Sequence, residues 1–116
     1  MTTELKSLTE SVRQFAKDRD WDQFHSPKNL ACALSVEAAE LLEHFEWLSE
    51  EQSRMLSVDK RGEIIEEVAD VFLYLIRLAD KLDIDLITSA QRKLLLNAEK
   101  YPIEKSRGTS KKYTQL

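Results

Sequence analysis

The run Ile64-Ile65-Glu66-Glu67-Val68-Ala69-Asp70-Val71-Phe72-Leu73-Tyr74-Leu75-Ile76-Arg77 decides how this chain folds. Ile64, Ile65, Val68, Val71, Phe72, Leu75, Ile76 and, one turn on, Ala79 recur at three- and four-residue intervals, the pattern of an amphipathic helix. With its flanks the pattern predicts a helix from Asp59 to Leu82, which Gly62 in the first turn weakens by about 1 kcal/mol. The other face carries Glu63, Glu66, Glu67 and Asp70, followed by Tyr74, Arg77 and Lys81. Its unbroken apolar stretch, Val71 to Ile76, is too short for a bilayer, which takes about 20 residues.

Working toward the N-terminus, Ser26-Pro27 reads as an N-cap followed by a first-turn proline, whose fixed φ already suits a helix. A helix from there to Leu48 has an apolar arc of Leu30, Leu34, Ala38, Leu41, Phe45 and Leu48. Before it, Thr3 to Asp18 is helical, with Leu5, Leu8, Val12, Phe15 and Ala16 at helical spacing, and Arg19 to His25 is a loop. Ser49 to Val58 is a connection with one short helical turn. Toward the C-terminus, Asp83 or Asp85 caps a fourth helix from Leu86 to Lys100, with Leu86, Ala90, Leu94 and Ala98 inward. Tyr101-Pro102 ends it, and Ile103 to Leu116 is a polar tail containing Lys105, Arg107, Lys111 and Lys112.

The chain has two glycines and two prolines in 116 residues, so little interrupts its helices and the expected class is all-α, like a four-helix bundle. Residues 1–102 form the expected helical domain, and residues 103–116 a basic tail of the same domain. Charged residues make up 33% and hydrophobic ones 42%, which is the balance of a folded domain rather than a disordered one. A net charge of −4 gives no basic face for a nucleic-acid polymer. Met1-Thr2-Thr3-Glu4 has neither a basic segment nor an apolar one, so no secretory signal is expected there and a cytoplasmic location without membrane contact is. Cys32 is alone in an apolar helical stretch, which excludes a disulfide framework and reads as a small buried hydrophobe. Helices of this length bury limited apolar surface per chain, so self-association through leftover faces is expected.

Two acidic pairs carry the chemistry: Glu37-Ala38-Ala39-Glu40 and Glu67-Val68-Ala69-Asp70. Residues three apart lie one turn above each other on nearly one helix face. At 100° per residue Glu37 falls at the edge of its helix's apolar arc, where an unpartnered carboxylate is costly to bury. Around Glu63 to Asp70 the acids are of one sign over two turns, without the alternating Lys or Arg that stabilises a surface helix. Side by side, the two helices bring four carboxylates into one small volume, which a bound cation neutralises. An all-oxygen set suits Mg²⁺ or Mn²⁺ rather than zinc. A plain solvated acidic face has the same local spacing, so the residues alone leave both readings open.

Glu37-x-x-Glu40, a gap over residues 41–66, then Glu67-x-x-Asp70 resembles the MazG-like, all-α nucleoside triphosphate pyrophosphohydrolases, most of all their dCTP pyrophosphatase group. The likeness extends to Phe15 through His25, Pro27-x-Asn29-Leu30, Trp47, Asp70-x-x-x-Tyr74-Leu75 and Lys93-x-x-x-Asn97. It also includes Tyr101-Pro102, Ser106-Arg107-Gly108 and Lys112-Tyr113. What it implies is hydrolysis of a (deoxy)nucleoside triphosphate, dCTP or an analogue, between the α and β phosphates, giving the monophosphate and pyrophosphate. By that resemblance Glu37, Glu40, Glu67 and Asp70 are both metal ligands for Mg²⁺, with Mn²⁺ as a substitute, and the catalytic set. Glu40 is the expected carboxylate to orient the water. Base recognition falls to Trp21, Asp22, Gln23, Phe24 and His25 together with Trp47 and Tyr74, because aromatic rings stack on bases. Lys93, Asn97, Arg107 and Lys112 are the expected phosphate-binding residues. The family arrangement implies a homodimer or a homotetramer made of two dimers. Where the dCTP pyrophosphatase group offers a polar ring from its first helix, this chain carries Val12, so the resemblance departs from that group at a position expected to face the base. Two other readings compete: a non-catalytic helical interaction module with an acidic face, and a same-fold pyrophosphatase for another phosphoanhydride, such as a phosphoribosyl-ATP-like compound.

Overall fold

The computed structural model describes residues 2–116; Met1, the first residue of the expected helical domain, lies outside them. Helix α1 spans Thr3–Asp18 and starts at Thr2, whose hydroxyl accepts from the Leu5 amide. Asp20, at φ 54°, turns the chain in the left-handed region that short polar side chains tolerate. A single 3₁₀ turn, Asp22–Phe24, then leads into α2, Pro27–Glu43. Ser26 caps α2 by accepting from the Asn29 amide at 3.1 Å, while the Asn29 side chain donates back to the Phe24 carbonyl at 2.9 Å. The loop is thereby tied to the start of the helix it precedes.

α2 was expected to continue to Leu48 and stops at Glu43. Beyond it the amides of His44, Phe45 and Leu48 donate to Leu41, Leu42 and Phe45, three residues back. Apolar spacing cannot tell such tightened turns from a continuing α-helix, because both leave Phe45 and Leu48 partly covered. The connection holds α3, Glu50–Arg54, with a capping box between Ser49 and Gln52. Then comes α4, Val58–Lys81, capped by Ser57. Asp85, not Asp83, caps α5, Leu86–Lys100, by accepting from Thr88 at 3.1 Å. α6, Ile103–Ser106, and a 3₁₀ turn at Tyr113–Gln115 complete the tail. Tyr113 packs edge-on against Tyr101 at 5.9 Å, with the Lys100 ammonium 4.9 Å from its ring centre. No strand occurs among the described residues.

α2 runs along α4, and α1 crosses α4 on a smaller area. The rows that meet are clear from burial. On α2 the covered residues are Leu30, Ala33, Leu34, Glu37, Glu40 and Leu41; on α4 one covered row is Ile64, Glu67, Val71, Tyr74 and Leu78, and Ile76, Arg77, Ala79 and Asp80 are covered beside it. Both are rows at i, i+3 and i+4, as helix packing requires. The buried apolar centre is Ala16, Leu30, Ile64, Ile76 and Ala79.

Three long helices pack, and the fourth does not close a bundle within the chain. α5 touches the rest sparsely, leaving Leu94 and Leu95 69% and 71% exposed, and Ala90 and Ala98 also face outward. Half of the α4 stripe (Ile65, Val68, Phe72, Leu75) is exposed as well. Cys32 is exposed rather than buried, since nothing in the chain covers that side of α2. The radius of gyration is 17.6 Å, against about 13 Å for a compact chain of this length. Those helices were read correctly as amphipathic, but their apolar faces exceed what one chain covers.

Leu30 is 1% exposed at the contact of α2 with α4. Leu30→Ala is expected to lower unfolding stability by about 2–5 kcal/mol, read from chemical denaturation. A change below about 0.5 kcal/mol would show that this contact does not organise the core.

Candidate functional site

Glu37 from α2 meets Glu67 and Asp70 from α4, with one carboxylate oxygen of each lying within 4.8 Å of the others. Neither Glu37 nor Glu67 is on an outer helix face; both stand in the packing rows just described. Glu37 Oε2 and Glu67 Oε2 are buried and have no hydrogen-bond donor. What surrounds Glu37 instead is more carboxyl: Glu40 and Glu67 at hydrogen-bond range, and Asp70 nearby. Burial first, then Glu40, then Asp70 and Glu67, push the Glu37 carboxyl up from 4.5 to about 7. Glu40 touches Glu37 but stands outside the mutual set of three. Buried, unpartnered oxygens of like charge are the condition that a hard divalent cation relieves, so the donor set fits Mg²⁺ or Mn²⁺.

Asp70 also opens onto a cleft of about 360 Å³ between α1, the 3₁₀ loop and α4. Val12, Phe15 and Ala16 line it from α1, Trp21 and His25 from the loop, and Leu73, Tyr74 and Arg77 from α4. Phe15 and Trp21 meet edge to face at 5.7 Å, and Trp21 meets the His25 ring at 6.4 Å. The lining is largely apolar with a few polar groups, Asp70, Tyr74, Arg77 and His25 among them, which is the construction of a small-molecule cleft.

An ion network secures the loop to the helices. Arg77, 4% exposed, donates Nε–H to His25 Nδ1 at 3.2 Å and uses its two terminal nitrogens on Asp80 and Asp22. Lys81 also pairs with Asp22, and Arg13 of α1 grips Asp80 through two bonds of 3.0 and 2.6 Å. The Arg13 bonds hold the Asp80 carboxyl below its usual range; Lys81 and then Arg77 do so for Asp22. Burial, aided by Arg77 and Lys81, depresses the His25 pKa.

Of the residues expected from sequence, the fold thus gathers Glu37, Glu67 and Asp70, sets Glu40 beside them, and puts Trp21, His25 and Tyr74 on the adjoining cleft. Asp22 serves the ion network, and Gln23 turns back onto Asp20. Phe24 is 60% and Trp47 88% exposed, away from the cleft lining. Lys93, Asn97, Arg107 and Lys112 do not line the cleft either. They lie on α5 and the tail, which one chain leaves apart from the site. Sequence reading passed over Phe15 and Leu73 as cleft residues, and Arg77 as more than a surface charge. The signal for Arg77 was its place in the row Asp70, Tyr74, Arg77, Lys81 at i, i+4, i+7 and i+11.

The sequence profile of the MazG-like family matches residues 32–116, most of the chain. The chain belongs to the MazG-like family. This MazG-like chain is 40% identical over 114 residues to dCTP pyrophosphatase 1 of Rattus norvegicus, covering 97% of itself and 67% of the rat protein. The Homo sapiens protein of that name is 39% identical over the same 114 residues. In three dimensions the chain resembles a pyrophosphatase of Archaeoglobus fulgidus DSM 4304 with a TM-score of 0.82 at 39% identity, over 88% of this chain and 95% of that one. No helix among the described residues is long and apolar enough to cross a membrane.

The raised Glu37 pKa has a consequence for stability. Below about 4.5 the proton is bound in folded and unfolded chains alike; between there and about 7 the folded chain alone holds it. That stabilisation is lost as pH rises through about 7. His25, with its depressed pKa, acts in reverse, since the unfolded chain takes up its proton first as pH falls below 6.5. Glu37→Gln isolates the first effect. In EDTA the wild-type Tm is expected to fall relative to that of Glu37→Gln between pH 4.5 and about pH 7. Parallel pH curves for the two proteins would contradict it.

Proposed function

We propose that this chain hydrolyses a (deoxy)nucleoside triphosphate between its α and β phosphates in a Mg²⁺-dependent reaction, releasing the monophosphate and pyrophosphate. One observation carries the reading: buried, donor-less oxygens of Glu37 and Glu67 stand beside Asp70, at the mouth of an aromatic cleft. Glu37, Glu67 and Asp70 hold the ion, which when bound neutralises phosphate oxygens and acidifies a water. Glu40, next to Glu37 yet outside the mutual set, is the carboxylate free to orient that water and accept its proton. Phe15, Trp21 and Tyr74 form the walls against which a base stacks, and close fit there excludes bulk water.

The substrate is dCTP or an analogue, a choice supported by 40% identity to a dCTP pyrophosphatase over nearly the whole chain. Val12 lies on the cleft wall where that group offers a polar ring, so base preference is where this chain departs from it. Lys93, Asn97, Arg107, Lys112 and Trp47 reach the phosphates and base from a second copy in a homodimer or homotetramer. The exposed apolar faces of α4 and α5 supply the contact that such an assembly needs.

A panel of nucleoside triphosphates with Mg²⁺, scored by chromatography, is expected to yield monophosphate and pyrophosphate, and EDTA to stop the reaction. Glu37→Gln and Asp70→Asn are each expected to lower kcat at least about 100-fold, beyond the usual cost of losing a group that merely supports a ligand. Both variants should retain the wild-type helical circular dichroism. Undiminished turnover in either, or release of orthophosphate from the terminal position, would defeat the proposal.

A further inference from the structure

Arg77 is a buried arginine on the wall of a cleft, and each of its three guanidinium nitrogens donates to a partner. Nε–H goes to His25 Nδ1, and the two terminal nitrogens go to Asp80 and Asp22. Its partners are fixed in turn, Asp80 by Arg13 of α1 and Asp22 by Lys81 of α4. A guanidinium is a donor at every pH a protein meets, so the ring nitrogen opposite it is an acceptor and carries no proton. Turning the ring over would set a carbon against that buried N–H and leave it unmatched. A neutral imidazole has one donor and one acceptor, which places the His25 proton on Nε2. Doubly protonated His25 has no acceptor for Arg77, and the flanking charges of Arg77 and Lys81 oppose it further, with Asp22 the one facing acid.

We propose that Arg77 is a positioning residue for base selection: by occupying Nδ1 it leaves His25 Nε2–H as a fixed donor on the cleft wall. The cleft then takes a nucleobase that turns a carbonyl oxygen or an unprotonated ring nitrogen toward that wall. The pyrimidine edge of cytosine offers both. A base protonated or alkylated at those atoms is rejected, because a donor would face a donor or a methyl group. This rests on the cleft's being the base site, as proposed above.

The tautomer is measured first on wild-type protein without nucleotide, by two-bond ¹H–¹⁵N correlation of ¹⁵N-labelled histidine at neutral pH. There are two histidines, and His44→Gln assigns the pair. The Nε2–H form is expected for His25; the Nδ1–H form or an imidazolium would overturn the proposal whether or not any nucleotide is hydrolysed. In Arg77→Leu, where Asp80 keeps Arg13 and Asp22 keeps Lys81, the signal should show mixed tautomers.

Kinetics with dCTP then test the consequence. His25→Leu is expected to raise KM about tenfold, the cost of one hydrogen bond, and Arg77→Leu about twofold, as the donor tautomer becomes one of two, with kcat within roughly twofold of wild type in both. The double variant should match His25→Leu, since Arg77 acts through that ring. A further tenfold loss in the double variant would show that Arg77 acts otherwise. The Nε2–H tautomer in a protein with no nucleotide turnover would instead defeat the reading of the cleft, and base selection with it.

Discussion

Helix α2 lies against helix α4, and their contacting rows are built in the ordinary way except where Glu37, Glu40 and Glu67 occupy positions of the kind that Leu30, Leu34, Ile64 and Val71 fill elsewhere. The rest of the molecule depends on that substitution of carboxylate for hydrocarbon. Two like charges about 4 Å apart repel by about 4 kcal/mol at an effective dielectric of 20, and burial adds to the cost. A seam with that penalty persists because packing above and below it fixes the helices. The chain relieves the strain in the absence of an ion by holding a proton on Glu37, which is why that group titrates near neutrality. A divalent ion relieves it with far more charge. The acidic cluster and the aromatic cleft share Asp70, so the two adjoin.

The second organising feature is what the single chain leaves open. α5 and one side of α4 expose Leu94, Leu95, Ile65, Val68 and Phe72, and the chain is wider than a closed bundle of its length. Such a surface is unlike that of a stable monomer. Lys93 and Asn97 are on α5, and Arg107 and Lys112 are on the tail that follows it.

Much of this was legible in the sequence, and the limits were physical. α1 and α5 have the bounds that apolar spacing and caps gave, Thr3–Asp18 and Leu86–Lys100, because Thr2 and Asp85 are strong caps and Arg19 and Tyr101 end the pattern. The angle of Glu37 sets it at the edge of a packing arc, but the residues alone left a metal cluster and a solvated acidic face equally open, and the fold brings Glu37, Glu67 and Asp70 together. What spacing could not show was which apolar face would find a partner inside the chain; Leu94 and Phe72 have the same periodicity whether a helix of this chain or of another covers them. Nor could it pair Arg77 with Asp22 and His25, more than 50 residues away, since charge along a helix looks alike when solvated and when buried. Trp47 belonged to a stretch read as helix, and the early end of α2 carries it out to solvent.

The most direct test of the acidic seam is the anomalous scattering of Mn²⁺ from crystals of the protein grown with that ion. The account predicts a peak at coordination distance from Glu37, Glu67 and Asp70, between α2 and α4, that disappears in Glu37→Gln. No peak at that level of the seam, with the three carboxylates turned apart, would contradict it.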